Sequence, residues 1–293
     1  MKDYVDRLIE LALDEDLGAA GDVTSNALVP PDAMGAGELV AKEQLVLAGV
    51  EAFARVFHFV DPEVQVEFLQ RDGQELKTKT VVAKVAGRLR SLLAAERTAL
   101  NIVQRMSGIA TLSQQALTAV RGSKLKVLDT RKTSPGMRSL SKEAVRLGGA
   151  SNHRFGLFDG ILIKDNHIAA VGGSIKEALR RAQANAPRLV KIEIEVTNLQ
   201  QLVEAIDGGA DVVMLDNMDD EQIRKAVEIT AGRVPLEVSG GVALERLPRL
   251  AKLGVDYVSM GSLTHSARAM DLSLEIATTR TSGRARASRK RRA

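Results

Sequence analysis

The sequence contains no cysteine among its 293 residues. This excludes disulfide bonds, thiol nucleophiles and zinc–thiolate sites, so catalytic chemistry must come from arginine, lysine, histidine and carboxylate side chains. Its apolar runs are all shorter than the roughly 18 residues that a membrane helix needs. The charged start, MKDYVDRLIELALDED, also lacks the apolar stretch of a signal peptide. We therefore expect a globular protein of the cytoplasm.

Positive charge is concentrated at the end of the chain. Residues 280–293 carry seven basic side chains and no acidic one, which leaves residues 1–279 with 34 basic and 37 acidic groups, a net charge of −3. The tail also lacks aromatic residues, which stack on nucleic-acid bases. Its composition predicts disorder. Weak contact with a polyanion stays open as an alternative, whereas no specific nucleic-acid partner is expected.

The chain contains two different hydrophobic patterns, one before and one after about residue 120. Helical periodicity at 4–13 gives way to short β-like runs, and a long helical pattern with Gly108 as its weak point covers Leu93 to Thr118. From Leu125 onward, short apolar runs alternate with helical segments; the runs are KVLDT, GILIKDNH, LVKIEIEV, VVMLDN, PLEVSGG and YVSMGS. Such βα repetition predicts a parallel sheet. Six units are fewer than eight, so we expect an α+β domain followed by an incomplete α/β barrel of TIM-like type.

The segment from Leu128 to Ile168 gathers seven Lys or Arg and two of the four histidines within 41 residues. Arg131 and Lys132 follow one apolar run, and Lys164 ends another. The carboxyl ends of parallel strands meet at one rim, where barrel enzymes hold their functional groups. Arginine and lysine suit carboxylate or phosphate ligands. The cluster therefore predicts a polyanion site, with surface salt bridging as the alternative.

Carboxylates and glycine loops follow the later strands. Glu193 and Glu195 alternate along IEIEV and thus face the same side of the sheet, and Asp216 ends the next strand. Paired carboxylates beside phosphate-binding loops indicate Mg²⁺ held by few protein ligands; ion pairing to lysine is the alternative. Ser239-Gly240-Gly241 and Gly261-Ser262 lie where backbone N–H groups can approach a phosphate.

In order along the chain, several motifs together resemble the quinolinate phosphoribosyltransferase family. They are EDLGAAGDVTS, ERTALNIVQRMSGIAT, LDTRKTSPGMR, GGASNHRFGLFDGILIKDNHI, IEIEV, VVMLDN, EVSGG and VDYVSMGSLTHS. The resemblance implies a homodimeric pentosyltransferase of NAD synthesis. It would transfer phosphoribose from 5-phosphoribosyl 1-diphosphate to quinolinate, with release of diphosphate and CO₂. It also implies a sandwich domain at 1–110 that is rejoined by a final helix at about 266–279, a partial barrel at 111–265, and the tail outside the pattern.

The resemblance assigns roles to particular residues. Arg131, His153 and Arg154, with Thr130, Lys132 and Lys164, would bind quinolinate. Arg97 would reach the neighbouring subunit's site. Glu195 and Asp216 would bind Mg²⁺ and, with Lys132 and Lys164, form the catalytic set. The 5-phosphate would lie on Ser239, Gly240, Gly241, Gly261, Ser262 and His265.

Three alternatives stay open at this stage. The enzyme could act on nicotinate or another acid, although a monocarboxylate needs fewer cations. The protein could bind nucleic acid through its tail. Either Glu193 or Glu195 could meet the ligand, and Glu195 is favoured because it lies nearer the strand's end.

Overall fold

A computed structural model describes residues 2–278, apart from the side chains of residues 2 and 3. The helices are Lys2–Leu17 (α1), Val23–Leu28 (α2), Val50–Val60 (α3), Leu89–Ala119 (α4), Arg138–Leu147 (α5), Asp165–Ala170 (α6), Ile175–Asn185 (α7), Leu199–Asp207 (α8), Asp220–Thr230 (α9), Leu247–Leu253 (α10) and Ser262–His265 (α11). The strands are Met34–Ala41 (β1), Leu45–Val46 (β2), Gln65–Phe68 (β3), Glu75–Leu76 (β4), Val81–Arg88 (β5), Lys126–Leu128 (β6), Ile161–Ile163 (β7), Ile192–Val196 (β8), Val212–Asp216 (β9), Leu236–Ser239 (β10), Tyr257–Ser259 (β11) and Leu272–Thr278 (β12). The tail predicted at 280–293 lies outside the described residues.

The chain divides into two compact units. Among the described residues, the first takes Gly49–Gln104 with residues 2–45 and 270–278, and the second takes Arg105–Ala269 with Val46–Ala48. The division falls between Gln104 and Arg105, inside one continuous helix that also contains the predicted boundary at residue 110. An unbroken helical pattern carries no sign of where one core ends.

The first unit is built on an antiparallel sheet in the order β12, β1, β5, β3. Phe53 and Phe57 on α3 are fully buried, and their ring centroids lie 5.0 Å apart. A turn joins two helices near the start: α1 ends at Leu17, and Asp22 caps α2 by accepting a hydrogen bond of 3.0 Å from the Ser25 N–H.

The predicted final helix is wrong, because the chain returns to the first unit as a strand. β12 pairs antiparallel with β1 from Leu272 opposite Ala41 to Thr278 opposite Gly35. Leu272 and Leu274 are buried, and the residues between and after them are more exposed. Burial of alternate residues is the pattern of a half-buried strand, in which successive side chains point to opposite faces of the sheet.

The second unit contains the six predicted βα strands as one all-parallel sheet in the order β6, β11, β10, β9, β8, β7. Most residues of β8, β9 and β10 are buried, as expected for strands covered on both faces. Among the described residues no pairing joins β6 to β7, so the barrel is incomplete. No helix in residues 2–278 is long and apolar enough to cross a membrane.

Gly108 is a site of close backbone approach rather than a weak point of α4, which continues through it. A Cβ atom built on Gly108 would lie 1.8 Å from the carbonyl oxygen of Arg268, in the same unit. The approach excludes any side chain, so glycine is required here in spite of its poor helix propensity.

Gly108→Ala should therefore lower the free energy of unfolding by about 1–3 kcal/mol, the usual cost of overpacking, although alanine alone would favour the helix by about 1 kcal/mol. Urea denaturation measures the change. Gln115→Ala, at an exposed position of the same helix, is the control and should change stability by no more than about 0.5 kcal/mol. Equal stability of the two variants would contradict the proposed close contact.

Candidate active site

A cavity of about 830 Å³ opens at the carboxyl ends of the parallel strands in the second unit. It brings together most of the side chains that the sequence singled out. Predicted site residues on its wall are Thr130, Arg131, Lys132, His153, Arg154, Lys164, Glu195, Asp216, Ser239, Gly240 and Gly241. Thr197, Gln201, Asn217 and Ser259 also line it and were not predicted. The convergence of separate strand ends on one space makes this cavity the candidate site.

The cations of the cavity lack enough negative partners of their own. Arg154 donates a hydrogen bond of 2.8 Å to the carbonyl oxygen of Gly160. Burial, with the positive charge of Arg131 beside it, lowers the pKa of Arg154. The Nε atom of Arg131 is buried and has no hydrogen-bond partner. Two guanidinium groups in a shared, partly dry space favour the arrival of an anion.

The carboxylates lie beside these cations. Glu195 forms an ion pair with Lys164, and Asp216 accepts a hydrogen bond of 2.9 Å from the Asn217 side-chain amide. Both carboxylates line the cavity, whereas Glu193 does not. Hard oxygen ligands on neighbouring strand ends, open to water, have the chemistry that Mg²⁺ prefers. The residues present therefore fit the metal that the sequence suggested.

The glycine loop after β10 is shaped by its neighbour. Gly240 has a φ of 94°, and a Cβ atom on it would lie 2.2 Å from the Asn217 side-chain oxygen. Only glycine satisfies both conditions. The loop after β11 is placed differently, since Gly261, Ser262 and His265 are not on the cavity wall. A Cβ on Gly261 would nevertheless lie 3.0 Å from Lys132 and from His265, so this loop borders the Lys132 side chain. Arg97 belongs to the first unit.

Behind the wall, a buried polar network holds the segment that carries His153 and Arg154. Asp129 is fully buried and accepts hydrogen bonds from Lys142 Nζ at 2.6 Å, from the His153 N–H at 2.8 Å and from the Asn152 amide at 2.8 Å. Lys142 also donates to the His153 carbonyl oxygen at 3.0 Å. Three donors satisfy the buried carboxylate, so the strand end, α5 and the loop are fixed to one another.

The sequence did not identify Lys142 and Asn152 as partners of Asp129. Burial raises the pKa of Asp129 and lowers that of Lys142, while the contact between them opposes both shifts. One signal was available: Lys142 lies three residues before the buried Val145 of α5, hence on its apolar face. A lysine on that face needs an anionic partner.

Two carboxylates lie close to the imidazole ring of His153. Its Nε2 atom lies 3.0 Å from Glu193 Oε2 and 3.8 Å from Glu237 Oε2. Burial opposes a charge on the ring, yet the two glutamates raise the pKa of His153. Burial, with the charge of Glu193, raises the pKa of Glu237 to about 7. Glu237 was not identified from the sequence, because an isolated glutamate in a short strand carries no signal of its partners.

Lys142→Met should lower the free energy of unfolding by about 3–5 kcal/mol, because it leaves Asp129 buried without its counter-charge. Lys225→Met, which removes an exposed lysine paired with Glu221 on α9, should cost no more than about 1 kcal/mol. Chemical denaturation of both variants measures the difference. The double change Asp129→Asn with Lys142→Met should cost less than the sum of its parts, and strict additivity would refute the coupling.

The fold and site together are typical of one class of enzyme: a partial α/β barrel whose rim carries arginines, lysines and carboxylates suited to polyanionic substrates. Comparison with known proteins then specifies the family. Residues 22–107 match the model described as quinolinate phosphoribosyl transferase, N-terminal domain, and residues 109–275 match its C-terminal domain. The chain belongs to the quinolinate phosphoribosyltransferase family, and the resemblance recognised from its motifs is confirmed.

Individual relatives agree along nearly the whole chain. A nicotinate-nucleotide pyrophosphorylase (carboxylating) of Mycobacterium leprae (strain TN) is 44% identical over 92% of this chain and 95% of its own length. The chloroplastic enzyme of that name from Arabidopsis thaliana is 40% identical over 92% of this chain and 82% of its own length. The crystal structure of NadC from Streptococcus pyogenes has a TM-score of 0.90 at 42% identity and covers 96% of this chain and 99% of that one. The predicted fold class is thereby confirmed.

Proposed function

We propose that the cavity of the second unit transfers phosphoribose from 5-phosphoribosyl 1-diphosphate to the ring nitrogen of quinolinate. Diphosphate and CO₂ leave, and nicotinate mononucleotide, a precursor of NAD, is the product. The observation that carries this proposal is the convergence of Arg131, Arg154, Lys132 and Lys164 on one cavity that Glu195 and Asp216 also line. The cations would bind the dicarboxylate, and the carboxylates would bind the metal that accompanies the diphosphate.

Quinolinate binding explains why the cations outnumber their partners. Two adjacent carboxylates repel each other, so a site that holds both must supply several fixed donors. Arg131 has an unpaired Nε, and Arg154 is held only by Gly160 among the hydrogen bonds described for its guanidinium. These two arginines therefore take the acid groups, with Thr130, Lys132 and His153 on the same wall. A monocarboxylate such as nicotinate would leave part of this charge unbalanced.

Glu195 and Asp216 are the residues that would hold Mg²⁺. When bound, the metal supplies positive charge to the departing diphosphate. The ion pair of Glu195 with Lys164 keeps both groups compensated in the free protein. Donor binding then frees Lys164 to meet an anion, which makes it a catalytic residue together with Lys132.

The chain needs no nucleophile for this reaction. Its residues orient the ring nitrogen toward the ribose carbon and exclude competing water. As the bond to diphosphate breaks, positive charge develops on the ribose, and Lys132 and Lys164 offset the charge of the leaving group. The nitrogen then carries a positive charge, which stabilises the carbanion left at the ring carbon when CO₂ departs, and a proton from solvent then bonds to that carbon. Ser239, Gly240 and Gly241, with Gly261, Ser262 and His265 nearby, hold the 5-phosphate.

Three further features belong to the proposal. The active enzyme is a homodimer in which Arg97 of each subunit completes the other's site. It acts in the cytoplasm, in keeping with a sequence that has no cysteine. Its activity needs no membrane and no specific nucleic-acid partner.

Arg131→Ala should reduce kcat/KM for quinolinate by roughly 10²–10³, the size of loss expected when one fixed donor to a developing or buried charge is removed. Release of CO₂ from carboxyl-labelled quinolinate measures the rate. Arg180→Ala, at an exposed position of α7, is the control and should leave the rate unchanged. Full activity of Arg131→Ala, or a wild-type preference for nicotinate over quinolinate, would reject the assignment.

Removing divalent metal with a chelator should abolish product formation, and added Mg²⁺ should restore it. Glu195→Gln should raise the Mg²⁺ concentration for half-maximal activity by about tenfold or more, because a charged oxygen ligand is lost. Glu221→Gln, on the exposed face of α9, should behave as the wild type. Activity that persists in chelator would show that Glu195 and Asp216 serve the substrate alone.

A further inference from the structure

The cluster behind His153 contains two buried carboxylates to which neither the fold nor the transfer reaction gives a role. Glu193 of β8 and Glu237 of β10 are 8% and 2% exposed. The strands that carry them flank β9, and side chains from alternate strands share an interior layer of a barrel. One oxygen of each carboxylate has no hydrogen-bond partner. Burial of two carboxylates costs free energy, so their presence here needs an explanation.

Both ring nitrogens of His153 are engaged within the protein. Nδ1 accepts a hydrogen bond of 2.7 Å from the backbone N–H of Arg154. A nitrogen that accepts a hydrogen bond carries no proton, so the neutral ring has its proton on Nε2 and donates it to Glu193 at 3.0 Å. Neither nitrogen is left to bind a substrate carboxylate in this arrangement, although His153 lines the cavity.

The contacts run in series toward Arg154. Glu193 sets the tautomer and orientation of His153, and Nδ1 of that ring holds the backbone N–H of Arg154. The same segment is held from the other side by Asp129, which accepts the His153 N–H at 2.8 Å. Beyond the backbone, the Arg154 guanidinium reaches Gly160. A carboxylate that fixes an imidazole so that the imidazole fixes a neighbour is a common way of positioning a functional group.

We propose that Glu193 is a positioning residue that acts through His153 to hold Arg154 at the cavity wall. The proposal rests on the function assigned above, since it concerns the arginine that takes the dicarboxylate. Glu193 is therefore not the metal ligand, in spite of lying only two residues from Glu195. Glu237, farther from the ring at 3.8 Å, closes the cluster on its other side.

Kinetics of three variants test the proposal. Glu193→Ala should raise KM for quinolinate by roughly tenfold to a hundredfold, the loss expected when the partner that orients a functional imidazole is removed. KM for 5-phosphoribosyl 1-diphosphate should change by less than about twofold, because the donor's side of the cavity is untouched. Glu193→Gln retains an acceptor and should recover most of the loss. Glu221→Ala, an exposed carboxylate on α9, is the matched control.

A spectroscopic readout tests the same arrangement without any substrate. The chain has four histidines, so long-range ¹H–¹⁵N correlation spectra of histidine-labelled protein resolve each ring. At mildly alkaline pH, His153 should show a fixed tautomer with Nε2 protonated in the wild type and an average of both tautomers in Glu193→Ala. A His153 ring that is doubly protonated, or that has Nδ1 protonated, in the wild type would overturn the proposal.

The two readouts separate the possible failures. If the wild type does not consume quinolinate, the proposed function fails, while the tautomer of His153 is still decided by the spectra. If the wild type is active but Glu193→Ala keeps its KM for quinolinate, the positioning role is wrong. Equal increases of both KM values would also reject it, because a general loss of structure rather than of Arg154 would then be the cause.

Discussion

The site depends on the buried ion pair between Asp129 and Lys142. A buried pair of this kind contributes little net stability, since the desolvation of two charges offsets their attraction. The role of this ion pair is to fix the positions of the neighbouring segments. Asp129 directly follows the first strand of the parallel sheet, Lys142 lies on the following helix, and both bind backbone atoms of His153. The segment after that strand, which carries Arg131, and the loop that carries Arg154 are thus held from one point.

In the proposed function, this fixation of the two arginines favours a ligand with two acid groups. Two guanidinium groups that cannot move apart repel each other, and the cost is recovered when a ligand brings matching negative charge. A dianion with adjacent carboxylates offsets more of this repulsion than a monoanion does. In the same cavity, Lys164 and Glu195 already compensate each other. In the proposed function, the two arginines are therefore the groups that most need the negative charge of the acid substrate.

Much of this could be predicted from the sequence, for reasons that also explain the errors. Apolar runs ended by charged residues identified six strands and placed Lys164, Glu195 and Asp216 at one rim, because parallel strands end on the same side. The last strand was mistaken for a helix, since its seven residues are too few to separate the two periods and its partner β1 lies more than 200 residues earlier. The partners of Asp129 and of His153 were missed because they are brought together only by the folded barrel. Arg154 was found by its motif, whereas the contacts that hold it were not.

The two glutamates of β8 show most clearly where sequence patterns stop. Alternation places Glu193 and Glu195 on the same face of the strand, and this prediction is correct because both point into the barrel. Two residues along a strand are separated by about 6.6 Å, so the side chains differ in depth rather than in direction. At the outer depth Glu195 reaches the cavity and Lys164; at the inner depth Glu193 is closed off and reaches only His153 and its neighbours. Period two cannot distinguish these depths. The two glutamates therefore have different roles in the proposed function. Glu195 binds at the mouth of the barrel, whereas Glu193 lies one layer below and influences the substrate only through the position of Arg154.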